Sequence, residues 1–208
     1  DTGPTVERVL SLVESGIQFA EAAQRVHEWT GGLTAGCNPA HRSAPLAMCA
    51  SIDDALLPEA AMEEAQLTHK HPLAGDVAGA VVRLCRTLIC GMPWQAAKEL
   101  AAEGRRSETR NALFLPAVEM RSPDGFAPGV LAAAIHFLDS SDSFSTALAR
   151  SIEFAGPANY CPVLVGSIGG ARWGSSNIDP GALHLHEDLL PRLNAVALSL
   201  ANGWDQQC

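Results

Sequence analysis

Residues 155–173 read AGPANYCPVLVGSIGGARW, a turn followed by a helix of small residues. Gly156, Pro157 and Asn159 stop any helix arriving from Phe154, because proline lacks an N–H and glycine and asparagine favour turns. Beyond them Val163, Val165, Ile168, Gly169 and Ala171 form an apolar segment with little side-chain bulk. Gly166, Gly169 and Gly170 each cost about 1 kcal/mol against alanine in a helix, a cost offset where another backbone packs close. Such a segment reads as a buried helix of a bundle. The loop before it supports a second reading, as a place that once held a ligand or metal ion.

The rest of the chain agrees with helices. Hydrophobic residues make up 47% of the 208 positions but aromatics only 5%, and alanine and leucine dominate, which favours helix over sheet. Val6 to Trp29 carries a helical stripe interrupted at Ser15-Gly16, so it is one helix or a broken pair. Helices are predicted over 44–52, 59–67, 73–90, 94–103, 129–138, 146–154 and 183–200, with Asp142 or Ser143 capping the one at 146. No strand alternation and no fixed-period repeat is present. The prediction is an all-α, single-domain orthogonal bundle of about eight to ten helices.

Polar residues off the helix faces gather in four loops, 36–43, 68–72, 121–128 and 156–160, and loops on a rigid scaffold are where sites are built. His69 and His71 are close enough to share a metal, but no third ligand is near in sequence; one capping a helix and one exposed is the plainer expectation. His184 and His186, two apart in a helix, face different directions. Arg42 fits an anion-holding residue or a surface arginine. Asp53 and Asp54 read as helix-start residues. Cys161 has no base beside it and reads as a buried, inert thiol.

A net charge of −9 argues against a nucleic-acid-binding surface. No run approaches the roughly 20 apolar residues of a membrane span. Cys37, Cys49, Cys85, Cys90, Cys161 and Cys208 match neither a zinc ribbon nor a small disulfide framework. A soluble, intracellular protein is expected, with organelle import after removal of a leader as one account of the Asp1 start.

Four blocks, in order, make the chain resemble the ADP-ribosylglycohydrolase family, which includes dinitrogenase reductase-activating glycohydrolases and lens crystallins of the same fold. GCNPAHRSAPLAM (36–48) is similar to the family's Gly-x-Gly-Ala-Ala-Met-Arg-x-Ala-Pro block. LTHKHPLAGDVAGAV (67–81) is similar to its Thr-His-x-His-Pro block and following helix. SPDGFAPGVLAAAIHFL with DSFSTALARSIEFAG resembles the segment leading to the metal loop. VGSIGGARWG (165–174) resembles Ala-Gly-Ala-Leu-Ala-Gly-Ala-Arg-Tyr-Gly. The resemblance implies an all-helical fold lacking the family's N-terminal portion. In active members it implies two Mg²⁺ or Mn²⁺ ions that hydrolyse the bond between ADP-ribose and a protein side chain, hard ions in oxygen ligands.

The departures fall on that chemistry. The family's Gly-Gly-Asp-x-Asp-Thr metal loop is here Ala155, Gly156, Pro157, Ala158, Asn159 and Tyr160. Both acids are gone, and Asp1-Thr2 is at most the end of the Thr/Ser-Asp-Asp-Thr block. Asn38, Pro39 and His41 replace Gly, Ala and Met. The resemblance therefore implies no catalytic residue, no resident metal or cofactor at the degenerate positions Asp1, Pro157 and Asn159, and a vestigial substrate site at Gly36, Asn38, Arg42, His69, Gly125 and Phe126. The expected function is an inactive structural or accessory subunit of a larger assembly, partnered by other protein subunits through apolar surfaces such as Trp94, Phe114 or Trp204. The alternatives are an active Mg²⁺-dependent hydrolase, using Asp1 or Asp124, and a metal-free module for an ADP-ribose-like nucleotide.

Overall fold

The computed structural model describes residues 3–115, 124–155, 160–184 and 187–204. Every regular element among them is helical, and the β features reduce to one isolated bridge. The N-terminal stretch is a broken pair, α1 (Pro4–Glu14) and α2 (Phe19–Trp29). Gly16, at φ 95°, turns the chain between them, and Val9, Ala22, Ala23 and Val26 bury a small apolar cluster in that hairpin.

Residues 36–43 are not the open loop that their Gly, Asn and Pro predict. They contain α3 (Asn38–Ser43) with a proline in its first turn, where the missing N–H costs nothing. A 3-10 turn over Ala44–Met48 and α4 (Leu57–Ala65) follow. The centre of the fold is α5 (Pro72–Ile89), buried on nearly all sides. Against it lie α3, α4 and the 3-10 turn, then α6 (Trp94–Ala102), α7 (Ser107–Phe114), α8 (Ala127–Asp139) and α10 (Cys161–Trp173). Helix α9 (Phe144–Ala155) packs on α8 and α10, and Ser143 caps its start by accepting from the Thr146 N–H. The predicted last helix is divided into α11 (Pro180–Leu183) and α12 (Leu190–Leu200).

The small-residue reading of α10 holds at one glycine. A Cβ on Gly169 would lie 3.1 Å from the Phe144 ring and 3.4 Å from Leu138, whereas Gly166 and Gly170 face open space. Gly79 on α5 is tighter still. A Cβ there would lie 2.7 Å from Nη1 of Arg105 and 3.0 Å from the Pro58 carbonyl oxygen, so α4 could not keep its seat. Gly79→Ala is expected to destabilise by about 1–3 kcal/mol. Urea unfolding measures it, and an unchanged midpoint would show that α4 is not seated through this contact.

Two of the aromatics expected to form a docking surface are tied into the body. The Trp94 indole N–H donates to Asp139 (2.6 Å), and the guanidinium of Arg172 lies 4.6 Å from the Trp94 ring. The buried Lys98 ammonium also binds Asp139, at 3.0 and 3.1 Å. Trp204 donates to the Met48 carbonyl (2.8 Å) and lies under Arg86. Phe114 is exposed. Cys37, Cys49, Cys85 and Cys161 are free thiols, but Cys90, which ends α5, is disulfide-bonded, unlike the set of reduced thiols expected. Among the described residues no helix is long and apolar enough to cross a membrane.

Candidate functional site: a repacked cleft at the start of α3

Two loops far apart in sequence meet edge to edge. Gly36 and Phe126 form an antiparallel bridge; the Cys37 N–H donates to the Gly125 carbonyl (3.0 Å) and the Ala127 N–H to the Ala35 carbonyl (2.9 Å). The bridge sets the starts of α3 and α8 side by side. Asp124 steadies the second loop by accepting from the Phe126 N–H (2.9 Å).

His69 forms a wall beside this bridge. Its Nε2 lies 3.1 Å from where a Gly36 Cβ would sit, so the glycine makes room for the imidazole. Its Nδ1 pairs with the Thr68 hydroxyl at 2.8 Å. His69 is buried, not the exposed member of the His69/His71 pair. Burial, with the nearby Arg42 charge adding to it, lowers its pKa from 6.5 to about 4, so the ring is neutral. His71 is the helix cap: its Nδ1 accepts from the Leu73 N–H, and its own N–H donates to Thr34. Thr34 in turn pairs with His27 Nδ1 (2.6 Å).

Arg42 is not free to grip an anion. Its Nε donates to Glu64 Oε1 at 2.6 Å and its Nη2 to the Glu64 carbonyl at 3.3 Å, tying α3 to α4. Nothing within a few residues signals that partner, 22 positions away, so sequence reasoning missed it. Asn38 sits against the start of α1, its Nδ2 being 2.7 Å from a Cβ on Gly3.

His41 and Tyr160, two separate departures from the family pattern, touch each other. Their rings meet edge-on with centroids 6.3 Å apart. Burial lowers the His41 pKa to about 4, and its Nε2 is buried without a hydrogen-bond partner among the described residues. The Cys37 sulfur lies 4.0 Å from His41 Nδ1. Burial chiefly, with the Asp124 charge contributing, pushes the Cys37 thiol up to about 12; burial likewise raises Cys161, which bears out its reading as an inert thiol.

The structure brings Gly36, His69, Gly125 and Phe126 together, with Asn38 against Gly3 and Arg42 turned onto Glu64. Asp1 and residues 156–159, with Pro157 and Asn159, lie outside the described residues. The residues present do not fit a pair of hard divalent ions. Positions 155–160 contain no carboxylate, and among the described residues no three His, Cys, Asp or Glu side chains are grouped so as to hold a metal. Mg²⁺ requires such oxygen donors before it gives up water.

The family model described as ADP-ribosylglycohydrolase matches residues 1–208. An ADP-ribosyl-[dinitrogen reductase] glycohydrolase of Rhodospirillum rubrum is 26% identical over 149 residues, 72% of this chain and 50% of its own length; the match spans about half of that relative. A solved structure described as an ADP-ribosylglycohydrolase-related protein complex superimposes with a TM-score of 0.70 at 22% identity, covering 93% of this chain and 77% of the other. That likeness concerns the fold. From the bridged loops, the helical scaffold and the match along its whole length, the chain belongs to the ADP-ribosylglycohydrolase family.

Proposed function

We propose that this chain is a catalytically inactive member of its family and serves as a structural or accessory subunit within a larger assembly. One observation carries the reading: the stretch that supplies acids in the family, here 155–160, has none. The surroundings are consistent with it. Tyr160 packs on His41, and Arg42 is neutralised by Glu64. A dinuclear site has four positive charges to balance, and an amide and a proline offer none.

The assembly half of the proposal rests on surface chemistry. Leu189, Leu193, Val196 and Leu198 of the α12 region are each about half exposed or more, and Trp29 and Leu33 are 66% and 82% exposed. Apolar area of this kind marks interaction surfaces. The structural neighbour's description as a protein complex points the same way. Sedimentation of the protein from its native extract tests this half: a species larger than 21.8 kDa is expected, and a lone monomer counts against it.

The catalytic half is tested by calorimetry. The unaltered protein is expected to give no saturable heat with Mg²⁺ or Mn²⁺. Pro157→Asp with Asn159→Asp and Tyr160→Thr is expected to gain at least about tenfold in Mn²⁺ affinity, about 1.4 kcal/mol. Saturable binding of both Mg²⁺ and ADP-ribose by the unaltered protein would favour an active hydrolase. ADP-ribose binding indifferent to EDTA would favour a metal-free nucleotide module, which the persisting Gly36–Phe126 bridge and His69 wall support.

A further inference from the structure

We propose that a second cavity, remote in sequence from the cleft at α3, binds a small zwitterion of the amino-acid type. It takes the ligand's carboxylate on Arg83 and Arg105 and its ammonium group on Glu59 and Glu103. The cavity, of about 400 Å³, lies between α4, α5 and the corner joining α6 to α7. That volume is at the small end of the range for ligand pockets, about 300–1,000 Å³. None of its lining residues belongs to the bridged loops or to α3.

Arg83 and Arg105 both line the cavity. Nη1 of Arg105 lies 2.7 Å from where a Gly79 Cβ would sit, and Gly79 is one helical turn before Arg83 on the same face of α5. Arg105 is held from behind. Asp76, itself buried, lies 3.5 Å from Nη1 and accepts the Arg106 N–H, and the Met62 sulfur accepts from Nη1 at 3.2 Å. Its Nε donates to the Glu103 backbone carbonyl, leaving Nη2 without a partner among the described residues. Arg83 spends Nη1 on the Asp54 carbonyl (2.7 Å) and keeps Nε and Nη2. Two guanidiniums with donors to spare suit a carboxylate.

Glu59 and Glu103 are exposed residues that line the same cavity, and their carboxylates have no ion-pair partner among the described residues. Met62 and Leu100 supply an apolar floor. A simple anion would be repelled by the glutamates and a simple cation by the arginines. A molecule bearing both charges and a short apolar chain satisfies all three kinds of lining, which is how a site discriminates by rejection as well as attraction.

Ligand-observed NMR and calorimetry on the whole chain test this, with the full set of protein amino acids as probes. Saturable binding of at least one amino acid with an apolar side chain is expected. Its decarboxylated and deaminated analogues should each bind at least about tenfold more weakly. Arg83→Gln should weaken binding at least about tenfold, with an unchanged circular dichroism spectrum confirming the fold; Glu59→Gln, at an exposed position, should weaken it severalfold. Absence of saturable binding by any amino acid would overturn the proposal, as would analogues that bind equally well. Inorganic phosphate binding to the exclusion of amino acids would also overturn it, by marking a plain anion site.

Discussion

Replacing Arg86 by alanine is expected to destabilise the protein by about 2–4 kcal/mol, chiefly through the backbone carbonyls left without their donor, since its ion-pair partner Asp54 is 55% exposed. The side chain is 2% exposed although it lies on an apolar helix. Its Nε donates to the Ala47 carbonyl and its Nη2 to the Cys49 carbonyl, both at 2.7 Å, and its Nη1 binds Asp54. The Trp204 ring lies 5.1 Å from the guanidinium carbon. One group thus ties α5 to the 3-10 turn after α3, to the loop before α4 and to the end of the chain. Removing it leaves the buried Ala47 carbonyl and the part-buried Cys49 carbonyl without this donor, at a cost of up to about 1–3 kcal/mol each. Arg86→Lys keeps the charge but not the fork and should fall between the two. Urea unfolding followed by circular dichroism measures both; a loss under about 1 kcal/mol for the alanine variant would show that the network is dispensable.

The second large effect is acid sensitivity. His41 and His69 are neutral in the folded state down to about pH 4, against 6.5 ordinarily. Below pH 6.5 the unfolded chain takes up protons that the folded chain refuses, so stability falls as pH drops. The contribution is fully present above about 6.5, is lost between there and 4, and levels off below. Each histidine contributes up to about 3 kcal/mol across that window. Carboxylates lose stability in acid too, so the diagnostic quantity is the difference between the protein and His41→Met. Methionine, the residue of the family block that 36–48 resembles, has no proton to refuse and removes a buried Nε2 that has no hydrogen-bond partner among the described residues. The variant should be about 1 kcal/mol more stable at pH 7, and its advantage should widen by about 2–3 kcal/mol at pH 4. A constant difference across pH 7 to 4 would show that His41 protonates freely in the fold.

Much of this fold was legible because long apolar periodicity is a strong signal. The helices at 72–89 and 161–173 follow directly from it. The stretch 38–43 misled for a physical reason: asparagine and proline mark turns, yet the same residues open a helix, where a proline N–H is not needed. The break between α11 and α12 was marked by Pro191, which falls inside the helix expected over 183–200 and sits in the first turn of α12. Part of the site was legible as a set of positions, since Gly36, His69, Gly125 and Phe126 do meet. What they meet was not. Glu64 against Arg42, Tyr160 against His41 and Asp76 behind Arg105 are long-range pairings with no local pattern. Trp94 and Trp204 were expected outside because aromatics are common at interfaces, but each indole N–H is taken by an acceptor within the chain, Asp139 and the Met48 carbonyl.

The claim on which the account depends is that a chain without acids at 155–160 cannot run metal-assisted hydrolysis. The most direct measurement is release of ADP-ribose from an ADP-ribosylated protein in the presence of Mn²⁺, with a working glycohydrolase of the family as the positive control. The account predicts release no faster than in the protein-free blank. Multiple-turnover release by this chain that EDTA abolishes would contradict it.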